Sequence, residues 1–179
     1  MTENKVTVNR KENRKMIKFI VINGLIAAIY VVFTAPFANI AYGSIQFRLA
    51  EVLTVLPIFS AATIPGVTLG CFIANLINPN NLGPVDIIGG SLATLIAGYF
   101  SWLIGKKNKP LGIIPPIVFN GLIVGGYLPF LLVDPGSTVT LQTIGISMLS
   151  VAGSEAVLLV VLGLPLIAII AKTKIKDLL

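Results

Sequence analysis

The sequence predicts an all-α integral membrane protein: a bundle of six transmembrane helices with both termini in the cytoplasm. The first observation is composition, because 55% of the 179 residues are hydrophobic, only 11% are charged and the mean hydropathy is +0.94. Soluble domains carry about a quarter charged residues, so water cannot be the main solvent of this chain. The second observation, the placement of the basic residues, sets the number of spans.

All but one of the 13 Lys and Arg residues lie in three clusters, at 5–18, 106–109 and 172–176. The exception is Arg48. Lys and Arg beside a span mark its cytoplasmic side, so an even number of spans must separate each cluster from the next. The net charge of +6 therefore indicates topology rather than nucleic-acid binding, which needs basic residues gathered on one folded face.

Four apolar runs separate the first two clusters. Met16–Phe37 and Val85–Gly105 are each long enough for the roughly 20 residues that a crossing needs. Between them lie Phe47–Phe59 and Ile64–Ile77, which are shorter. Because about thirteen residues of α-helix reach only about 20 Å, we expect the second span to be tilted, broken or lengthened by its flanks.

Two further runs follow the central lysines, Leu111–Val133 and Leu141–Ala171, with an outer turn at Asp134–Thr138 (DPGST). The chain then divides into a basic cytoplasmic tail at 1–15, a six-helix transmembrane domain at 16–172 and a cytoplasmic tail at 173–179. The outer segments are rich in Asn, Gly and Pro, which are typical of turns. Irregular segments gathered on one side of a small bundle suit the mouth of a ligand site.

Small residues recur every four positions in several spans, and this spacing lets membrane helices approach each other closely. The fourth span has the longest such ridge, which runs from Gly89 through Ala93, Ala97 and Ser101 to Gly105. We interpret most of these residues as packing within the bundle, and a minority as contacts with a partner subunit.

Four acidic residues lie outside the solvated tails: Glu51, Asp86, Asp134 and Glu155. An ionisable group at membrane depth costs at least about 2.5 kcal/mol, which makes each a functional candidate. Glu51 follows Arg48 by three residues, so the two should meet on one helical face. The pair could be self-neutralising and structural, or Arg48 could orient Glu51 for a polar heterocycle while Gln46 adds an amide.

The other polar residues at depth also have two interpretations each. Glu155 has no basic residue within four positions, so its carboxylate needs a donor from elsewhere, either a neighbouring helix or a ligand. Asp86 follows Pro84 and suits a helix start, and Asp134 suits a turn. The remaining candidates are Asn75 and Asn120, which could bond a neighbouring helix, and Tyr42 and Tyr127, which could be interfacial belt residues or stacking walls.

Enzymatic chemistry is not indicated. The chain has no His, a single Cys (Cys71), no glycine-flanked serine elbow and no phosphate-binding GxxxxGK[ST] loop. Neither catalysis nor ATP hydrolysis is therefore expected, and no cofactor is called for. Two classes remain: a solute-binding transport subunit energised by other proteins, or a small ion-coupled permease with Glu155 or Glu51 as the coupling carboxylate.

The stretch YGSIQFRLAEVLTVLPIF (Tyr42–Phe59) strongly resembles the QueT family, the queuosine-precursor-specific substrate-binding (S) components of energy-coupling factor (ECF) transporters. The resemblance extends to the basic amino terminus, the six spans and the acidic residue in the last span. It implies an S component of an ECF-type ABC importer in a bacterial plasma membrane, with 16–172 as its substrate-binding domain. Its partners would be a transmembrane coupling subunit and two ATPases. The alternatives are an S component for another vitamin-like solute, or the permease.

The resemblance also implies roles for the polar residues. A deazaguanine presents a ring N–H and an exocyclic amine that one carboxylate can accept as a pair, and the aminomethyl precursor adds a cation for a second acid. Glu155 and Glu51 would recognise base and amine, in either order, with Arg48 as the orienting residue. The remaining substrate-binding candidates are Gln46, Asn75, Asn120, Asp86, Tyr42 and Tyr127. In the first span, Gly24 and Ala28, with Ala27 alongside, would dock the coupling subunit.

Overall fold

The structure, a computed structural model, describes residues 2–35, 48–78, 82–133 and 137–178, with side chains from residue 12 onward except that of residue 177. In these ranges all regular secondary structure is helical, with six helices and no strand. The all-α class and the number of helices are therefore confirmed, whereas the crossing of the membrane by all six stays a prediction. The cytoplasmic placement of the two termini stays a prediction.

We call the six helices α1 to α6 in chain order. Four of them contain a stretch long and apolar enough to cross a membrane, namely α1, α4, α5 and α6, whereas α2 and α3 are shorter. The sequence predicted these same two runs to be the short ones. The bounds are α1 Thr2–Thr34, α2 Leu49–Ile58, α3 Ile64–Leu76 after a short turn at Ala61–Thr63, α4 Pro84–Gly105, α5 Pro110–Leu132 and α6 Leu141–Lys172.

Helix α2 is a 3₁₀ helix throughout, and this form lengthens the short second span. A 3₁₀ helix rises about 2.0 Å per residue against about 1.5 Å for an α-helix, so ten residues reach about 20 Å instead of about 15 Å. The sequence led us to expect tilt, breakage or extension, and the chain is overwound instead. Runs of 3₁₀ helix this long are uncommon, and they often mark functional positions.

Helix α2 lies at the centre of the bundle, because every residue from Ala50 to Ile58 is buried. Three residues per turn place residues three apart in one row. Leu53 and Leu56 pack in a core cluster with residues of α1 and α3. Val55 and Ile58 pack in a second cluster with residues of α5 and α6. The remaining row, which contains Glu51, is free to carry polar groups inward.

Glycines allow the helices around α2 to approach closely. A Cβ atom on Gly70 of α3 would lie 2.6 Å from the Cβ of Tyr30 in α1. One on Gly105 of α4 would lie 3.0 Å from the Cα of Ile58, and one on Gly125 of α5 would lie 2.5 Å from the Cα of Met148 in α6. Most of the small-residue spacings thus serve packing within the bundle, as we interpreted them.

Both α5 and α6 contain a π-helical turn in the middle of the helix. In α5 this turn covers Asn120–Val124, and in α6 it covers Leu159–Gly163. A π turn inserts one extra residue and locally widens the helix, and it is frequent at functional sites. The first of these turns begins at a candidate residue, and the second begins four residues after Glu155.

Candidate functional site

Polar side chains from all six helices converge in the interior of the bundle. Four of them line one narrow cavity, which we call the polar cavity: Arg48, Glu51, Asn120 and Glu155, together with Gly90, Val124 and Val151. Each of the four is at most 5% exposed. Burying such groups is costly unless each has a partner, so their convergence requires an explanation beyond packing.

Glu51 is held from two sides. The phenol of Tyr30 in α1 donates a hydrogen bond to Oε1 at 2.5 Å, and Nδ2 of Asn120 in α5 lies 3.5 Å from Oε2. The hydroxyl of Thr54, one 3₁₀ turn on, donates to the backbone carbonyl of Glu51 at 2.6 Å. Both carboxylate oxygens thus have a protein donor, and the orientation of Glu51 is fixed by its neighbours.

Tyr30 is a site residue that the sequence analysis missed. It is fully buried, and it is the largest such side chain in the described ranges. A signal was present, because interfacial tyrosines lie at the ends of spans whereas Tyr30 lies well inside an apolar run. A hydroxyl at that depth needs a hydrogen-bond partner, and Glu51 supplies it.

Arg48 forms its described ion pair with Asp86, at 3.7 Å between Nη2 and Oδ1. The sequence had paired Arg48 with Glu51 on one helical face. That expectation presumes helical backbone, whereas Arg48 precedes α2 in an extended conformation, with φ of −105° and ψ of 105°. Its side chain still reaches the polar cavity beside Glu51.

Asp86 combines both roles that the sequence left open. It lies in the first turn of α4 after Pro84, as expected of a helix start. It is also 1% exposed, and its Oδ1 accepts a hydrogen bond from the phenol of Tyr127 at 2.8 Å. Nδ2 of Asn75 donates to the backbone carbonyl of Asp86 at 3.1 Å. Tyr127 is therefore part of the polar network and not a lone stacking wall.

Two buried acceptor atoms near the cavity have no hydrogen-bond partner in the described part of the chain: Oε1 of Glu155 and Oδ1 of Asn75. A buried acceptor left unsatisfied costs about 1–3 kcal/mol, and more when the group is charged. Glu155 lines the polar cavity directly. These two atoms are therefore positions where a ligand N–H can form bonds that the protein itself does not.

Gly90 leaves room for this arrangement. A Cβ atom at this position would lie 2.8 Å from Nδ2 of Asn75 and 3.9 Å from Nη1 of Arg48. The ridge of small residues predicted from the sequence begins at the neighbouring Gly89. A Cβ atom added there would lie 2.9 Å from the ring of Tyr127. The role of Gly90 depends on its neighbours from other helices, which the spacing of small residues does not reveal.

The polar cavity is narrow. Its volume is about 10 Å³. That is about the volume one water molecule needs. A ligand larger than water requires the surrounding helices to move apart.

The remaining predicted residues fall into two groups. Gln46, Tyr42 and Asp134 lie outside the described residues. On α1, Gly24 and Ala28 are exposed, with nothing within 4 Å of a Cβ added at Gly24. Ala27 is 3% exposed and faces α3, since a Cβ on Gly70 would lie 3.1 Å from its Cα.

Comparison with known proteins adds the family. The sequence matches the family described as QueT transporter over residues 20–172. The chain belongs to the QueT transporter family. Within it, the chain is similar to the queuosine precursor transporter QueT of Lactococcus lactis subsp. cremoris (strain MG1363), with 39% identity over 79 residues. That match covers 43% of this chain and 45% of the relative.

Membership of the QueT transporter family confirms the resemblance drawn from Tyr42–Phe59. Together with the apolar helices, it establishes a multi-pass membrane protein of a transporter family and points to a protein that is not an enzyme. The matched stretch spans less than half of the relative. No solved structure matches this chain.

Proposed function

We propose that this protein is the substrate-binding S component of an ECF-type importer and captures a queuosine precursor, either aminomethyl-deazaguanine or queuine. The observation that carries the proposal is the polar cavity, in which two carboxylates, a guanidinium and an amide converge inside a membrane bundle. Such groups at membrane depth mark substrate pathways. The family description and the relative's name supply the class of solute.

The donor and acceptor set suits a deazaguanine. The base carries a ring N–H beside an exocyclic amine, which a carboxylate accepts in a paired arrangement, and Glu51 and Glu155 provide such groups. The carbonyl oxygen of the base needs a donor, for which Arg48 and the amide of Asn120 are placed in the same cavity. Gln46 and Tyr42 extend the proposed site beyond the described residues.

Capture must include a change of shape, because a bicyclic base is much larger than the single water molecule that the polar cavity admits. The π turns at Asn120–Val124 and Leu159–Gly163 place a widened, less regular backbone beside Asn120 and after Glu155. Helices rearrange most readily at such turns. We expect α5 and α6 to separate from α2 when the ligand enters.

Uptake driven by ATP, as proposed here, requires partners, because the sequence contains no nucleotide-binding loop of its own. We propose a transmembrane coupling subunit and two ATPases, in a bacterial plasma membrane with both termini of this chain in the cytoplasm. The proposed docking face is the exposed side of α1 at Gly24 and Ala28. Ala27 lies on the adjoining, buried side of α1, against α3, and takes no direct part in that face.

The test is calorimetric titration of the purified, detergent-solubilised protein with aminomethyl-deazaguanine, queuine, guanine and riboflavin. We expect tight binding of a deazaguanine and much weaker binding of guanine. Circular dichroism shows whether each sample is folded. If a folded sample binds none of the four compounds, the proposal is wrong, and another solute or an ion-coupled permease is favoured.

A further inference from the structure

The polar network contains more acid than base. Three carboxyl groups lie in or beside the cavity, those of Glu51, Asp86 and Glu155, and each is at most 5% exposed. Arg48 is the one guanidinium among them, and its described ion pair is with Asp86. Between Lys18 and Lys106, and between Lys109 and Lys172, Arg48 is the only Lys or Arg in the sequence. A second ionised carboxylate in the cavity therefore has no further Lys or Arg of the spans to balance it.

The two carboxylates of the cavity wall are not equivalent. Glu51 is held by Tyr30 at 2.5 Å and approached by Asn120 at 3.5 Å, so each of its oxygens already has a donor. Glu155 lines the same cavity at 5% exposure, and its Oε1 has no donor within the described ranges. An unsatisfied buried carboxylate oxygen is costly, and a ligand donor removes that cost. Of the two carboxylates, the one with an oxygen available to a ligand is therefore Glu155 on α6.

We propose that the polar cavity selects a ligand that carries a positively charged amine, and that Glu155 is the carboxylate on which this charge is bound. The inference rests on the proposed function and deepens it: the charged amine that aminomethyl-deazaguanine and queuine share contributes to affinity beyond the base, and one residue binds it. Glu51 is in this scheme left to accept the N–H groups of the base, in the orientation that Tyr30 and Asn120 give it. The amine of the ligand then supplies a positive charge beside Glu155, where the spans provide no second Lys or Arg.

The test compares ligands with the same ring and different charge. Aminomethyl-deazaguanine is cationic at neutral pH, whereas hydroxymethyl-deazaguanine has nearly the same shape and is neutral. Calorimetric titration of the wild-type protein in detergent should show at least about tenfold tighter binding of the amine, since hydrogen bonds to a fully charged pair are markedly stronger than neutral ones. Equal affinities would overturn the inference while leaving the proposed function intact. Binding of neither ligand would overturn both.

Matched variants then assign the charge to one residue. Glu155→Gln keeps the shape of the side chain and removes its charge. In this variant the ratio of the affinities for the aminomethyl and hydroxymethyl ligands should fall to nearly one. In Glu51→Gln, both affinities should fall while the preference remains. The opposite pattern, with the preference lost in Glu51→Gln and kept in Glu155→Gln, would overturn the assignment.

A second variant covers the case in which Glu155→Gln does not fold. Glu155→Asp keeps the charge and withdraws it by one methylene group, so it should bind both ligands more weakly and still prefer the amine. Loss of the preference in a folded Glu155→Asp sample would contradict a role based on charge. The comparison of the two ligands on wild-type protein needs no variant at all.

Discussion

The phenol oxygen of Tyr30 lies 2.5 Å from Oε1 of Glu51, and the two residues come from helices α1 and α2. Both are almost completely buried, at 0% and 4% exposure. A carboxylate in this position depends on its donors, because no water is present to replace them at membrane depth. The bond therefore ties the outermost long helix to the central 3₁₀ helix, at the point where α2 enters the site.

Tyr30→Phe should destabilise the protein and weaken ligand binding. The substitution keeps the ring and removes one hydrogen bond to a charged group, which is worth about 1.5–3 kcal/mol. Thermal unfolding in detergent and calorimetric titration measure the two effects. Tyr99→Phe is the matched control, because Tyr99 is exposed and should tolerate the loss of its hydroxyl. A Tyr30→Phe variant as stable as Tyr99→Phe would mean that Glu51 does not rely on this donor.

Gly90→Ala should reduce ligand affinity by about tenfold or more and should also destabilise the protein. The added methyl group would come within 2.8 Å of Nδ2 of Asn75 and would push on the wall of the polar cavity. Overpacking of this kind typically costs about 1–3 kcal/mol. The control is Gly145→Ala in α6, where a Cβ meets nothing within 4 Å. Calorimetry on both variants decides, and equal affinities would show that Gly90 does not limit the cavity.

Sequence patterns predicted the long helices well and the site in part. The bounds of α4 and α6 lie within one residue of the predicted runs because charged or turn residues delimit them. Glu155 and Asn120 stood out as polar groups in apolar surroundings. Tyr30 did not stand out, because tyrosine is counted among the hydrophobic residues. Hydropathy also carries no information on helical rise, so the 3₁₀ form of α2 could not be predicted.

Other features depend on neighbours that are distant in sequence. The pairing of Arg48 with Asp86 follows from the extended backbone before α2, which directs the side chain towards α4. The importance of Gly90 follows from Asn75 on α3. Neither relationship leaves a trace in local spacing. Both became visible only once the helices were placed together.

Asp86→Asn should destabilise the protein by about 3–5 kcal/mol, the usual cost of breaking a buried ion pair by removing one partner. The amide keeps an acceptor for the phenol of Tyr127, so the effect reports mainly the lost charge. A double-mutant cycle with Arg48→Gln isolates the coupling between the two residues. Unfolding in detergent provides the free energies. Strictly additive losses would contradict the ion pair as a stabilising unit.

Gly24→Leu should leave ligand binding by the isolated protein unchanged and weaken its assembly with the coupling subunit. The side chain would project from the exposed face of α1, where a Cβ meets nothing within 4 Å, so the bundle can accommodate it. A bulky residue in a small-residue contact between membrane helices prevents their close approach. Co-purification with the coupling subunit and the ATPases, beside calorimetry on the isolated variant, separates the two effects.

The matched control for docking is Gly153→Leu, since Gly153 is an exposed glycine of α6 that also has open space around its Cβ. Both variants add the same side chain to an exposed glycine, on α1 in one case and on α6 in the other. We expect assembly to fail for the α1 variant and to persist for the α6 variant. If both variants assemble equally well, the docking face is not on α1. If neither assembles, added bulk anywhere on the surface of the bundle is enough to prevent assembly. Because Ala27 is buried against α3, only the row of Gly24 and Ala28 can make this contact directly.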